Sequence, residues 1–122
     1  MNEAPYILLV DDDRQVVKYL RNSLVEGGYT VKSTTSGQHA LNLIAKHMPD
    51  LLVLDLNMSE PDGFDLLVAK RSRFPYLRIL VISGYLHGAL LKAAKALGAI
   101  ETLEKPVEAE VLVAKVREVL GR

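Results

Sequence analysis

The chain has no cysteine, which excludes disulfides, zinc–thiolate sites and thiol catalysis and gives no sign of an oxidising compartment. It has no surplus of charge either: fifteen basic residues offset fifteen acidic ones, so the electrostatic footprint that drives nucleic-acid binding is missing. No apolar run approaches membrane-spanning length, and Met1-Asn2-Glu3-Ala4-Pro5 has no basic stretch followed by an apolar core. A soluble cytoplasmic protein with neither a nucleic-acid nor a membrane partner is therefore expected. Neither Gly-x-Gly-x-x-Gly nor Gly-x-x-x-x-Gly-Lys occurs, so a nucleotide-binding reading has no support. With 122 residues there is no room for a second domain, and one domain of this size buries about two-thirds of its unfolded surface without staples.

What the chain does have is unbroken apolar runs that stop at carboxylates. Leu51-Leu52-Val53-Leu54 ends at Asp55, and Tyr6 to Val10 ends at Asp11-Asp12-Asp13. Runs without polar alternation read as strands buried on both faces. Asp13 is placed to cap a helix from Arg14 to Glu26, with Val17, Leu20 and Leu24 inward and Gly27-Gly28 as its stop. Tyr29 to Thr34 alternates, as a strand exposed on one face does. Ser36 caps the next helix, whose stripe is Ala40, Leu41, Ile44 and Met48, and Met48-Pro49 closes it.

After Gly63 a third helix is expected to run to about Phe74 with Phe64, Leu67 and Val68 inward. Arg78 to Ile82 forms a fourth strand that gives way to Ser83-Gly84. A helix over about Leu86 to Leu97, a weaker strand over Ala99 to Leu103, Glu104-Lys105-Pro106 and a last helix over about Val107 to Leu120 complete the pattern. Alternating strands and helices argue for an α/β fold, a parallel sheet covered on both faces. Strands one, three and four are continuously apolar and belong in the centre, whereas two and five are mixed and belong at the edges. Right-handed crossovers then give the doubly wound, flavodoxin-like (βα)5 order 2-1-3-4-5. Its switch point lies between strands one and three, so Asp11, Asp12 and Asp55 line the crevice where ligands bind in such sheets.

Three neighbouring carboxylates repel one another by roughly 1 kcal/mol per pair in water, and by more when partly buried. An all-oxygen donor set without cysteine or histidine suits Mg²⁺, which keeps several waters and engages phosphate. Strand four delivers the Ser83 hydroxyl to the same edge and strand five the Lys105 ammonium. Such a set surrounds a phosphoryl group, whose transfer needs mainly positioning and charge neutralisation. Asp55, central among them, can accept it as an acyl phosphate. Any one of these residues alone is more often a turn former or cap; their joint arrival at one edge is what distinguishes them. Asp13 remains a cap, and His39, His47 and His87 are explained by exposed positions.

In this ordered set the chain resembles the receiver domains of two-component response regulators, of the chemotaxis-regulator type, over nearly all of residues 1–122. Val10-Asp11-Asp12 is similar to the family's acidic pair, Asp55 to its phosphoacceptor, Ser83 to its Thr/Ser and Lys105-Pro106 to its Lys-Pro; Asp62-Gly63 matches the turn after the acceptor loop. The resemblance implies that Asp12 and Asp55 bind Mg²⁺ directly, that Asp11 acts largely through water, and that the backbone carbonyl of Asn57 completes the site. It further implies that a sensor histidine kinase or phosphotransfer protein supplies the phosphoryl group. The domain then hydrolyses its acyl phosphate slowly, without being a turnover enzyme. A cis peptide before Pro106 is also implied, a form that costs little at proline.

The chain departs from the family pattern where Ser59 replaces the usual proline, displaced here to Pro61, and where Thr102 replaces the aromatic that transmits the switch. By the resemblance, Tyr85 and Asn57 occupy positions that in the family tune hydrolysis of the acyl phosphate. No output domain is expected after Leu120-Gly121-Arg122, which makes a downstream protein target or a separate output domain the expected recipient of the signal. Leu90, Leu91, Ala94, Val111 and Val113 exceed one inward stripe, which marks either a partner or homodimer contact or a helix buried on two sides. Two other readings compete: a receiver-like adaptor independent of phosphorylation, and a haloacid-dehalogenase-type phosphatase using Asp11 as nucleophile.

Overall fold

A computed structural model of the protein describes residues 3–56, 63–84 and 88–121, with the side chains of 63, 64 and 88–91 outside that description. The elements alternate throughout: β1 (Tyr6–Val10), α1 (Arg14–Glu26), β2 (Thr30–Thr34), α2 (Gly37–Lys46), β3 (Leu51–Asp55), α3 (Gly63–Arg73), β4 (Ile79–Ser83), α4 (Gly88–Ala96), β5 (Glu101–Glu104) and α5 (Ala109–Leu120). The strands form one parallel sheet in the order β2-β1-β3-β4-β5, the flavodoxin-like order expected. Every residue of β1, β3 and β4 is buried, which is what their unbroken apolar runs require. The edge strands β2 and β5 are only partly covered.

Strand periodicity divides the core into two layers. Leu8, Val10, Leu52, Leu54, Ile79 and Val81 meet α2, α3 and α4 on one side; Ile7, Leu9, Val53, Leu80 and Ile82 meet α1 and α5 on the other. Helix α1 starts where Asp13 caps it, its carboxylate accepting the Gln15 and Val16 amides at 2.9 and 3.3 Å. Chain reversal after α1 uses Gly28 at φ 101°, a conformation open mainly to glycine.

Two expectations about facing are corrected and an open one is partly resolved. Val68 points outward and is 54% exposed, because Leu66 and Leu67 occupy the inward arc of α3. Met48 is also exposed: α2 ends at Lys46, His47 turns extended (φ −154°, ψ 105°), and the helical stripe no longer reaches Met48. Of the residues left open between a partner contact and a second buried side, Ala94 is fully buried and Val113 packs against the core, Val111 is exposed, and the side chains of Leu90 and Leu91 lie outside the described residues. The fifth strand begins later than expected, at Glu101, because Gly98 and Ala99 still donate to α4 carbonyls (Lys95 O and Ala94 O, 3.0 Å each).

Candidate functional site

The carboxyl ends of β1, β3, β4 and β5 bring Asp11, Asp55, Ser83 and Lys105 together. Asp11 directly follows β1 and extends its ladder, with its amide donating to Thr34 O at 3.3 Å. Its Oδ1 accepts the Asp13 amide at 3.0 Å, so one acidic residue orients the turn that starts α1. Asp55 ends β3 opposite Ile82, and Ser83 ends β4 opposite Glu104. The Lys105 amide donates to Ser83 O at 2.9 Å, and the Lys105–Pro106 peptide is cis.

From there Lys105 Nζ reaches Asp11 Oδ2 at 2.9 Å and Asp55 Oδ2 at 3.3 Å. Asp11, Asp55 and Ser83 are buried, and Asp12 is exposed. One carboxylate oxygen from each of Asp11, Asp12 and Asp55 lies within 4.8 Å of the others. All three acids, the serine and the lysine expected at this edge are therefore assembled there. Asn57, Ser59, Pro61, Asp62, Tyr85 and His87 lie outside the described residues.

Among the described residues three carboxylates share one ammonium, which leaves a local excess of negative charge. Two of the acids are buried, where solvent screens that excess poorly. A hard divalent cation fits both the charge and the all-oxygen donor set, in which Asp12 is the exposed member. The lysine responds to the same field. Burial alone would lower its pKa, but the hydrogen bond and charge of Asp11, together with those of Asp55, outweigh that and raise it above the ordinary lysine value.

A raised pKa means that folding favours the ammonium, so its stabilisation is complete below the unfolded lysine pKa of about 10.4 and is lost as pH climbs through the higher folded value. Metal-free protein should accordingly lose thermal stability in that alkaline window more steeply than Lys105→Met does. Melting curves from about pH 8 upward check this, and superimposable pH profiles would count against it.

Several contacts had no signal in the local sequence. The Asp50 carboxylate accepts the Tyr6 amide at 2.7 Å, pinning the start of β1 to that of β3. Exposed His39 lies with Nδ1 3.0 Å from Thr34 Oγ1, and exposed His47 has its ring centroid 5.0 Å from that of Tyr6. Half-buried Thr102 sits beside Glu101, whose carboxylate lies 3.9 Å from both Lys95 of α4 and Lys115 of α5. Beside Lys105 an apolar cleft of about 420 Å³ opens between α1 and the β5–α5 connection, lined by Val16, Tyr19, Leu20, Ile82, Pro106 and Val107. Among the described residues no helix is long and apolar enough to cross a membrane.

The family described as Response regulator receiver domain matches residues 7–117. Similar curated proteins include the response regulator MprA of Mycolicibacterium vanbaalenii, 40% identical over 116 residues that make up 95% of this chain and 50% of MprA. The response regulator protein FleR of Pseudomonas aeruginosa is 37% identical over 122 residues, 98% of this chain and 25% of FleR. The chain thus spans half or less of these relatives. Among solved structures, the chemotaxis protein CheY4 of Vibrio cholerae superimposes with a TM-score of 0.88 at 27% identity, covering 96% of this chain and 99% of that one. A CheY-like receiver domain protein of Methanospirillum hungatei gives 0.89 at 26% identity, covering 97% and 94%.

Proposed function

The chain belongs to the response regulator receiver-domain family, and from that premise we propose that residues 1–122 form a Mg²⁺-dependent phosphoacceptor that takes a phosphoryl group onto Asp55. The observation that carries this reading is the convergence on one carboxylate: Asp55 Oδ2 is 3.3 Å from Lys105 Nζ and shares a 4.8 Å cluster with Asp11 and Asp12. The donor is a phosphohistidine on a sensor kinase or phosphotransfer protein. An Asp55 oxygen bonds to phosphorus while the phosphorus–nitrogen bond breaks. The departing imidazole nitrogen keeps the electron pair and, where needed, takes a proton from solvent.

Asp11, Asp12 and Asp55 would hold Mg²⁺, with the Asn57 carbonyl completing the set by family resemblance. When bound there, the ion would supply charge neutralisation at the phosphoryl oxygens. Lys105 offers its ammonium to an oxygen on the same side as Asp55 Oδ2, and the Ser83 hydroxyl donates from the end of β4. Both oxygens of Asp11 are engaged, Oδ1 by the Asp13 amide and Oδ2 by the lysine, which suits Asp11 to orienting the turn and the ammonium. Receiver domains generally are not turnover enzymes, and this one acts by switching a contact with a downstream protein, a separate output domain or a second copy. With Thr102 in place of an aromatic, that switch must travel through smaller groups. The Lys95–Glu101–Lys115 bridge is too exposed to carry more than a weak coupling.

Intact-mass spectrometry after incubation with acetyl phosphate tests the reading. One phosphoryl adduct is expected with Mg²⁺ and none with excess chelator. Absence of an adduct with acetyl phosphate and with a phosphohistidine donor alike would transfer the assignment to a phosphorylation-independent adaptor.

A further inference from the structure

Lys105, Pro106 and Val107 form one wall of the apolar cleft, facing Val16, Tyr19 and Leu20 of α1. Val107 also packs against the core layer below, and two hydrogen bonds hold the ends of the segment. One end is the ladder bond from the Lys105 amide to Ser83 O, 2.9 Å. The other is the start of α5, where Glu108 is the cap residue but makes no side-chain cap bond. Helix starts leave amide donors that need acceptors. Here the acceptor for Ala109 N–H is the Tyr19 hydroxyl, at 3.2 Å across the mouth of the cleft.

The remainder of α5 is also fastened to α1. Arg117 Nη2 donates to Gly27 O at 3.2 Å, and Gly27 permits the close approach, since a Cβ there would stand 3.3 Å from Val113 Cγ1. We infer that Tyr19 is a positioning residue for phosphoryl uptake: its hydroxyl fixes the first turn of α5, and through it the segment that aims Lys105 at Asp11 and Asp55. This rests on the phosphoacceptor reading above. Tyr19 touches neither carboxylate and acts only through the lysine segment.

Tyr19→Phe keeps the ring and the cleft wall and removes only the acceptor. Uptake from saturating acetyl phosphate is expected to slow by about 3- to 10-fold, the scale of one hydrogen bond's net contribution. Mg²⁺ affinity should stay near the parent value, because the acids come from β1 and β3, and the melting midpoint should fall about as far as in Arg117→Gln, since each variant loses one exposed α1–α5 hydrogen bond. In the metal-free protein, NMR relaxation at the Lys105 side chain should report a looser ammonium.

Arg117→Gln is the control, expected to lower the midpoint and leave uptake unchanged. The inference is overturned if Tyr19→Phe matches the parent in uptake, or if Arg117→Gln slows uptake equally. Should the parent itself take no phosphoryl group, the phosphoacceptor reading fails separately. The Lys105 relaxation then decides alone: loosening in Tyr19→Phe supports the positioning role, and unchanged order refutes it.

Discussion

Asp55→Asn is expected to abolish phosphoryl uptake while leaving the fold intact. Asparagine has nearly the same shape, and the backbone pairing of position 55 with Ile82 is untouched, so β3 keeps its register. What disappears is the anionic oxygen that must bond to phosphorus. Stability should stay within about 1 kcal/mol of the parent, since removing one of three clustered charges relieves repulsion of that order while costing one lysine contact. Lys105 retains Asp11, the closer partner at 2.9 Å. Intact mass and a melting curve on the same sample check both halves. A phosphoryl adduct that persists in the variant would remove Asp55 from the nucleophile's role.

Lys105→Met should separate two jobs that one ammonium performs. In the metal-free protein it removes the ammonium that faces the buried carboxylates of Asp11 and Asp55. Breaking a buried pair in this way costs about 3–5 kcal/mol. The lower end applies here, because the lysine side chain is 24% exposed and solvent screens part of its charge. Phosphoryl uptake should fall by about 10²- to 10³-fold, the usual loss when one preorganised group facing developing charge is removed. Mg²⁺ is expected to restore much of the stability, because any cation among the carboxylates relieves their repulsion, but not the rate. Titrating Mg²⁺ against the melting midpoint and against uptake distinguishes these. Recovery of both together would mean that Lys105 is only a counter-ion.

The parts of this architecture legible in the sequence are those dictated by burial on two faces. Leu51 to Leu54 and Ile79 to Ile82 contain no polar residue, so their central places, the strand order and the crevice at Asp11 and Asp55 followed from pattern alone. Ser83, which ends its strand, and Lys105, which directly follows one, were legible because those strand ends share one edge. Facing within helices was less so: Val68 and Leu66 are equally apolar in their own right, and only the docking of α3 decides which one is covered. The Tyr19–Ala109 bond joins residues 90 positions apart. It depends on how α1 and α5 lie together, which no local pattern encodes.

The backbone bond from the Lys105 amide to Ser83 O makes a single jaw of two groups that come from different strands. Were the serine to swing toward a ligand by side-chain rotation alone, the lysine would be unaffected. Any displacement of the end of β4 itself, however, tugs the lysine's own main chain, and with it the first turn of α5. Occupancy at the crevice can thus be passed on as mechanical travel of a peptide unit, a lever that requires no large ring to turn.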